Sequence, residues 1–366
     1  MHISCNKTTL LNAINFVIKP TSTKTTKPIT NCIYINADRG GLKLISNNYD
    51  ISIETDYIES EIYSKGSVAI DSKRFESIIR SLPEGIIDIK VDDKFLCDIK
   101  LGKFESKLKG MDPKEFPMPV EVLNVEEPVV IKEKTLKNMI NKTIFAVATD
   151  NNRPILKGEL LKLDGGVFSI VAIDGFRVAW RMEDIGVKGY NEIVVPGETM
   201  KIVQSLLGDN EDEVQIYSSS RNVKFIINGS SVVSSLLEGV YINYENLFKI
   251  DSPINLNVET KLLSSAVERT KLMYEDSKVI PIEIKVENEN LNIRTESDYG
   301  DINEDIEVKG EGEISIKFNT KYLSDILKAI DEEYICLNMN TEKSPCIITG
   351  IYDESYKYFI LPINSK

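Results

Sequence analysis

The sequence predicts an α+β protein of three repeated domains, each of which is roughly a double of one helix and a small sheet. Two sets of amphipathic helical segments recur at a spacing of about 125 residues. Alternating strands with turn residues lie between these segments. Two stretches rich in Pro, Asn and acidic residues, 112–128 and 244–257, resemble linkers. We therefore expect domains over residues 1–125, 126–250 and 251–366.

The first set of helical segments begins each repeat. Residues 7–19, 134–147 and 260–273 start with polar residues and continue with apolar residues at helical spacing. Leu10 and Ile14, four residues apart, show how this spacing places apolar groups on one helix face.

A second set of helical segments supports the same repeat independently. In residues 70–82, 195–207 and 318–330, a polar or glycine start is followed by an aromatic residue or Met and then by paired aliphatic residues. Because two unrelated registers give one period, we interpret the repeat as real.

The sequence between the helical segments predicts pairs of strands. Apolar and polar residues alternate there, with turn residues between the runs, which is typical of antiparallel hairpins. The predicted hairpins pair residues 32–36 with 42–46, 86–92 with 95–101, 158–163 with 167–172, 213–219 with 222–228, 282–286 with 291–295, and 334–340 with 346–351.

The composition excludes several classes of function. No apolar stretch among the 366 residues reaches the roughly 18 residues of a membrane span, and the N-terminus does not resemble a secretion signal. We expect a cytoplasmic protein without membrane contact. His2 is the only histidine, which rules out histidine-based catalytic triads, and five dispersed cysteines support neither disulfides nor zinc. We expect no enzyme activity, no metal and no cofactor.

The charge is distributed unevenly. The chain has 44 Lys and Arg against 57 Asp and Glu, a net charge of −13. The helical windows 7–19, 71–82, 132–142, 197–207, 259–271 and 319–330 contain fifteen basic and seven acidic residues, so their net charge is +8 and the remainder carries −21. Either the helices share a surface that faces a polyanion, or lysines merely occupy exposed helix faces. Charge alone leaves both interpretations open.

Several stretches are specific to one family. They are FESIIRSLPEG at 75–85, VAIDGFRVA at 171–179, residues 193–196 with the following helix, residues 318–330, and YFILPI at 358–363. With these stretches and the threefold repeat, the full chain resembles the bacterial DNA polymerase III β subunits, the DNA sliding clamps.

The resemblance implies an architecture and a set of partners. Each domain would be a doubled βαβββ unit, and a head-to-tail homodimer would close into a ring with helices inside and sheets outside, around double-stranded DNA. The ring would be loaded by an ATPase clamp loader and would tether the replicative DNA polymerase. Repair and translesion proteins with clamp-binding peptides would also bind, and the protein would be nucleoid-associated.

Basic side chains are the candidates for DNA contact, because contacts to phosphates are independent of sequence and allow sliding. Lys24 and Lys27 match a DNA-contacting loop of the family. The remaining candidates are Lys73, Arg74, Arg80, Lys137, Lys142, Arg153, Lys201, Lys261 and Lys328.

The resemblance also implies a hydrophobic cleft that binds partner peptides between the second and third domains. Its residues would be Leu156, Ile173, Gly175, Phe176, Arg177, Val178, Ile242, Leu247, Pro345, Phe359, Ile360, Leu361, Pro362 and Ile363. One of Ile360 and Leu361 is expected to lie in the core. Phe176, Ile242 and Asn246 depart from the His, Pro and basic residue that are frequent in the family, so partner preferences are expected to shift.

Dimerisation would join an edge strand near 103–109 to the region 271–275 of the other chain. Leu108, Leu272 and Met273 are the candidate apolar contacts. Two alternatives stay open: a clamp-fold scaffold or regulator that binds partner peptides without encircling DNA, and, more distantly, an α+β enzyme.

Overall fold

The computed structural model describes residues 1–21, 27–122, 127–149, 153–274 and 280–363. Its α-helices within these residues are α1 (Lys7–Val17), α2 (Ser72–Ser81), α3 (Glu133–Asn141), α4 (Gly197–Leu206), α5 (Thr260–Thr270) and α6 (Thr320–Lys328). Each lies inside one predicted helical window, so the two helical registers are confirmed.

The strands follow five of the six predicted hairpins. They are β1 (His2–Asn6), β2 (Cys32–Asp38), β3 (Gly41–Asn47), β4 (Ile51–Glu54), β5 (Glu61–Ser64), β6 (Gly66–Asp71), β7 (Ile86–Val91), β8 (Leu96–Leu101), β9 (Phe104–Lys109), β10 (Val129–Lys132), β11 (Gly158–Ile173), β12 (Arg177–Pro196), β13 (Glu213–Ser218), β14 (Asn222–Ile227), β15 (Ser230–Ser235), β16 (Ile254–Glu259), β17 (Pro281–Glu287), β18 (Asn290–Ser297), β19 (Gly300–Glu307), β20 (Ile314–Asn319), β21 (Tyr334–Met339), β22 (Cys346–Gly350) and β23 (Tyr356–Ile360). The prediction that residues 158–163 pair with 167–172 is wrong, because both segments lie in one strand, Gly158–Ile173, which pairs with Arg177–Pro196. Gly165 and Gly166, both with positive φ, lie at a register shift within that strand and do not form a turn between two strands.

The chain divides into two compact units. The first comprises Met1–Leu136 with Lys201–Leu236, and the second comprises Lys137–Met200 with Leu237–Lys366. The first unit contains a five-stranded sheet, β5-β1-β7-β8-β9, and an eight-stranded sheet, β10-β13-β14-β15-β4-β3-β2-β6. The second contains a six-stranded sheet, β11-β12-β23-β22-β21-β16, and a four-stranded sheet, β19-β18-β17-β20. The predicted boundaries near residues 125 and 250 stay a prediction.

Internal doubling is clearest at the C-terminal end of the chain. The order β16-α5-β17-β18-β19 is followed by β20-α6-β21-β22-β23, which is one βαβββ unit twice. Equivalent caps begin equivalent helices: the side chain of Asp71 accepts the Arg74 amide at 2.9 Å, and that of Asn319 accepts the Lys321 amide at 3.0 Å. A side-chain oxygen at this position satisfies a backbone donor that the helix itself leaves unpaired.

Apolar residues at helical spacing bury one face of each helix, as α1 shows with Leu10, Ile14 and Val17. The cysteines join these cores as free thiols, and only Cys336 is half-buried. Burial raises the pKa of Cys5 and of Cys97 to about 12, because desolvation disfavours the thiolate. These thiols therefore stay protonated and serve as apolar packing groups.

Candidate peptide-binding cleft and nucleic-acid interface

Three neighbouring strands of the six-stranded sheet build an apolar floor in the second unit. Ile173 on β11 lies opposite Val178 on β12, and Val178 lies opposite Phe359 on β23. All three side chains are buried and share one hydrophobic cluster with Leu156. Cross-strand neighbours point to the same face of a sheet, so this row forms a continuous surface.

Partly buried aliphatic residues surround this floor. Ile242, Leu247 and Leu361 pack against the same cluster without being fully covered. The Tyr241 hydroxyl donates a hydrogen bond to the Val171 carbonyl at 3.2 Å and so fixes the segment that carries Ile242 and Leu247. The result is a pre-formed apolar surface with aliphatic walls, the type of site that accepts apolar anchors of a short peptide.

A tight turn presents one aromatic ring at the end of the floor. The Asp174 carboxylate accepts the Phe176 and Arg177 amides at 2.9 and 3.0 Å, and Gly175 adopts a φ of 93°, which favours glycine. Phe176 is consequently 56% exposed. The Leu361 amide donates to the Phe176 carbonyl at 2.9 Å, which joins the C-terminal segment to this turn.

Arg177 and Ile360 are cross-strand partners, and both are directed away from this floor. Successive strand residues point to opposite faces, so these two lie behind Val178 and Phe359. Ile360 is fully buried in a different core cluster. We therefore remove both from the residues expected to contact a peptide.

Arg177 instead holds the cleft in place. Its guanidinium donates to Asp174 at 2.9 Å, to Asp325 at 2.8 Å and to the Phe145 carbonyl at 2.6 Å. It also lies 4.4 Å from the centre of the Tyr322 ring. Buried arginine is stable only when its donors are satisfied, and these contacts connect the Phe176 turn to α6.

The structure adds two side chains that the sequence did not single out. Tyr322 stacks against Phe176, with ring centres 5.9 Å apart, and Ile155 packs beside Leu156 on the apolar cluster. The start of α6 after Asn319 was recognisable, but its proximity to Phe176 depends on long-range packing. Pro345, Pro362 and Ile363 are half-buried, and the Ile363 amide donates to the Lys317 carbonyl at 2.7 Å.

Most of the candidate DNA-facing residues are exposed. Lys24 lies outside the described residues, and Lys137 is half-buried. The exposed candidates are Lys27, Lys73, Arg74, Arg80, Arg153, Lys201, Lys261 and Lys328. Arg80 is partly neutralised by Glu76, and Lys328 forms an ion pair with Glu268 at 3.1 Å. In the described part of the chain, Lys73, Arg74, Lys201 and Lys261 form no ion pair.

Lys142 is the exception among these candidates. Its side chain is only 9% exposed, its Nζ lies 2.8 Å from Asp331, and it faces the Tyr356 ring. A buried lysine that is already paired cannot reach a phosphate without breaking this ion pair. We therefore leave Lys142 out of the DNA-facing set.

Several cations occupy an electrostatically unfavourable place on their helices. Lys73 and Arg74 lie in the first turn of α2, Lys261 lies in the first turn of α5, and Lys321 lies in the first turn of α6. A cation at a helix N-terminus loses roughly 0.3–1 kcal/mol of dipole stabilisation relative to an anion. An external anion at these helix starts would offset that loss. Lys321 was missed in the sequence, although the helical repeat aligns it with Lys73.

The candidate dimerisation residues lie at sheet edges or on exposed turns. Leu108 is half-buried on β9, which among the described strands pairs with β8 alone and lies at the edge of its sheet. Leu272 and Met273 belong to the short 3-10 helix Lys271–Met273, and Leu272 is 78% exposed. An unpaired strand edge and exposed apolar side chains are both features that favour association. Glu275 lies outside the described residues.

The described residues lack two kinds of feature. No group of three or more His, Cys, Asp or Glu side chains is arranged to hold a metal ion. None of the described helices is both long and apolar enough to cross a membrane.

Comparisons with known proteins agree with this geometry. Family models of the DNA polymerase III beta subunit match the N-terminal domain at residues 1–120, the central domain at 130–243 and the C-terminal domain at 246–364. The chain belongs to this family. The predicted resemblance and the α+β fold of three clamp domains are thereby confirmed.

Relatives of the family match over their full length. The beta sliding clamps of Halalkalibacterium halodurans and Bacillus subtilis are each 30% identical, over 98% and 100% of both chains respectively. A crystal structure of a putative DNA polymerase III beta subunit from Eubacterium rectale superposes with a TM-score of 0.95 at 31% identity over both full chains. The Bacillus subtilis DNA polymerase sliding clamp gives 0.94 at 28% identity, again over both full chains. The processivity-clamp function of the family follows for this beta subunit.

Proposed function

We propose that this protein is the processivity clamp of a replicative DNA polymerase and acts as a ring-shaped homodimer that encircles duplex DNA. The observation that carries the proposal is that exposed cations and an apolar cleft occupy different kinds of element. Exposed cations that form no ion pair within the described residues occupy helices, at Lys73, Arg74, Lys201 and Lys261. The apolar peptide cleft lies on a strand surface elsewhere in the chain. The exposed cations suit weak contacts with a polyanion, and the cleft suits a tethered protein.

The mechanism requires no chemical reaction. A closed ring stays on DNA through topology, while weak phosphate contacts allow it to slide. A polymerase tail anchored by apolar residues over Val178 and Phe359 then remains beside the DNA at high effective concentration. Sliding and tethering form and break no covalent bond, so catalysis is not part of this function.

Further partners follow from the same cleft. A clamp loader and repair or translesion proteins would present similar peptides and would compete for one apolar site. A cytoplasmic, nucleoid-associated location follows from such partners. We propose that Leu108 on β9 and Leu272 with Met273 form the dimer contact, with the β9 edge pairing to the other protomer.

The decisive experiment measures retention on DNA by topology. The protein is loaded by its clamp loader onto nicked circular DNA and followed by gel filtration before and after linearisation. We expect retention on the circle and loss from the linear form, because only a closed ring slides off free ends. Equal retention on both forms would contradict the proposal. Peptide binding without topological retention would favour the scaffold alternative.

A dimer variant makes this test specific. Leu272→Asp places a carboxylate in the proposed apolar contact and is expected to yield monomers in light scattering and no retention on circular DNA. The matched control is Met118→Asp, at a residue that is 55% exposed and outside the proposed contact. This control is expected to stay dimeric.

A further inference from the structure

A second concavity lies on the same sheet face as the peptide cleft and has a different chemistry. It has a volume of about 370 Å³, close to the lower end for small-ligand sites. Trp180 and Phe248 form an aromatic wall, with ring centres 6.4 Å apart, and Tyr244 adds a buried ring. Three lysines, Lys162, Lys249 and Lys357, complete most of the lining, together with Asp164 and Glu245.

Strand register shows how near this aromatic pocket is to the cleft. The cleft row is Ile173, Val178 and Phe359, and the next row on the same face is Val171, Trp180 and Lys357. Each strand advances by two residues between the rows, which is about 6.6 Å. Two additional residues of an extended peptide therefore reach from the cleft to the aromatic pocket.

The charges of the aromatic pocket favour an anion. Lys162 forms ion pairs with Glu245 at 2.9 Å and with Asp164 at 3.5 Å, so both acidic groups of the lining are paired with this one lysine, and the three lysines leave the lining with a net charge of +1. The hydrogen bond with Glu245 raises the pKa of Lys162 and keeps it protonated. Lys249 and Lys357 form no ion pair within the described residues, which leaves two cations beside the aromatic wall.

These two cations are also held in position. The Lys357 ammonium lies 5.7 Å from the centre of the Trp180 ring, and the Lys249 ammonium lies 3.4 Å from the Asn246 side-chain oxygen. The Trp180 indole N–H donates to no acceptor in the described part of the chain.

We propose that this pocket binds an aromatic side chain flanked by Asp or Glu, in a partner segment that continues a peptide seated in the cleft. The aromatic ring would pack against Trp180 and Phe248, and a neighbouring carboxylate would pair with Lys249 and Lys357. This inference rests on the proposed peptide-binding function. It adds a specificity site for partners whose segments extend beyond the cleft.

The sequence provides an internal reporter for this pocket. Trp180 is the only tryptophan of the chain, so all tryptophan fluorescence comes from a residue of the pocket wall. The full-length protein is titrated with the tripeptide N-acetyl-Asp-Phe-Asp-amide, which has no tryptophan. We expect a saturable change in Trp180 emission, and none with N-acetyl-Lys-Phe-Lys-amide or N-acetyl-Asp-Ala-Asp-amide at equal concentrations.

Charge reversal tests the cationic part of the site. Lys357→Glu is expected to weaken tripeptide binding about tenfold, because it replaces an attraction with a repulsion. The matched control, Lys188→Glu, changes the same charge at an exposed residue outside the lining and is expected to bind as the unaltered protein does. Equal weakening by both variants would overturn the proposal, since the effect would then reflect net charge alone.

Two further measurements separate the aromatic pocket from the cleft. Binding of the tripeptide is expected to persist in Leu361→Asp, which alters only the cleft.

If the tripeptide leaves Trp180 emission unchanged while a polymerase C-terminal peptide still binds, the pocket proposal fails and the proposed function stands. If the tripeptide binds but the polymerase peptide does not, the cleft assignment fails. A change in emission with a thymidine pentanucleotide in place of the tripeptide would overturn the proposed ligand class.

Discussion

The peptide cleft and the basic helix surface are built in opposite ways. In the cleft, Val178 and Phe359 are buried in one cluster, and a network around Arg177 fixes the turn that presents Phe176. On the helices, Lys201 and Lys261 extend from the surface without ion pairs among the described residues. One surface is pre-organised by packing, whereas the other is a set of independent charges.

This difference determines how each surface responds to substitution. Apolar anchors in a pre-formed site concentrate binding free energy in a few residues. Phosphate contacts distribute it over many residues, each of which contributes little and is weakened by salt. We therefore expect large effects from single substitutions in the cleft and small, salt-dependent effects from single substitutions on the helices.

The largest effect is expected for Leu361→Asp. Leu361 is half-buried against the cleft cluster, and a carboxylate there must be desolvated when an apolar peptide side chain covers it. We expect affinity for a polymerase C-terminal peptide to fall at least about 100-fold in isothermal titration calorimetry. The variant should remain dimeric in light scattering. Unchanged peptide affinity would contradict the cleft assignment.

A smaller effect is expected for Phe176→Ala. Its ring is more than half exposed and stacks on Tyr322, so the substitution removes one wall of the cleft without disturbing the buried floor. Peptide affinity should fall about tenfold, the usual scale for removal of an aromatic side chain from an interface. Tyr49→Ala, which removes an aromatic ring of similar exposure in the first unit, is the control and should leave affinity unchanged. Equal reductions in both variants would argue against a local role for Phe176.

The two surfaces also differ in how well the sequence predicted them. The helices and five of the six hairpins were predicted because their signals are local: spacing, caps and turn residues determine each one. The hairpin expected within residues 158–172 was wrong because the glycines at 165 and 166 produce a register shift in one strand, which resembles a turn in the sequence. Hence the exposed positions of Lys73 and Lys201 followed from the helical pattern. The burial of Lys142 did not, because its partner Asp331 is distant in the sequence.

Predicting which residues line the cleft required more than the local sequence pattern. Strand alternation separates Phe359 from Ile360, but only the pairing of β23 with β12 shows which of the two faces the cleft. Tyr322 was missed for the same reason, since its stacking on Phe176 joins residues far apart in the chain. The aromatic pocket around Trp180 was also not predicted, because its walls come from β11, β12, β23 and the 3-10 helix Glu245–Phe248.

The smallest effect is expected on the basic surface, for Lys201→Gln. Lys201 is exposed on α4, and removing its charge should weaken binding to a short linear duplex by only about two- to threefold at low salt. The diagnostic result is the salt dependence: the slope of log K against log salt should become shallower by about 0.9 for each phosphate that the protein no longer neutralises.

Lys94→Gln is the matched control for this measurement. Lys94 is equally exposed but lies in the turn between β7 and β8, away from the helices. It should leave both the affinity and the salt slope unchanged in fluorescence anisotropy. If both variants changed the slope equally, the DNA would be responding to net charge, and the helices would have no special part in binding. A changed slope for Lys201→Gln alone would establish that a chain of net charge −13 contacts DNA through a local basic surface, which its overall charge conceals.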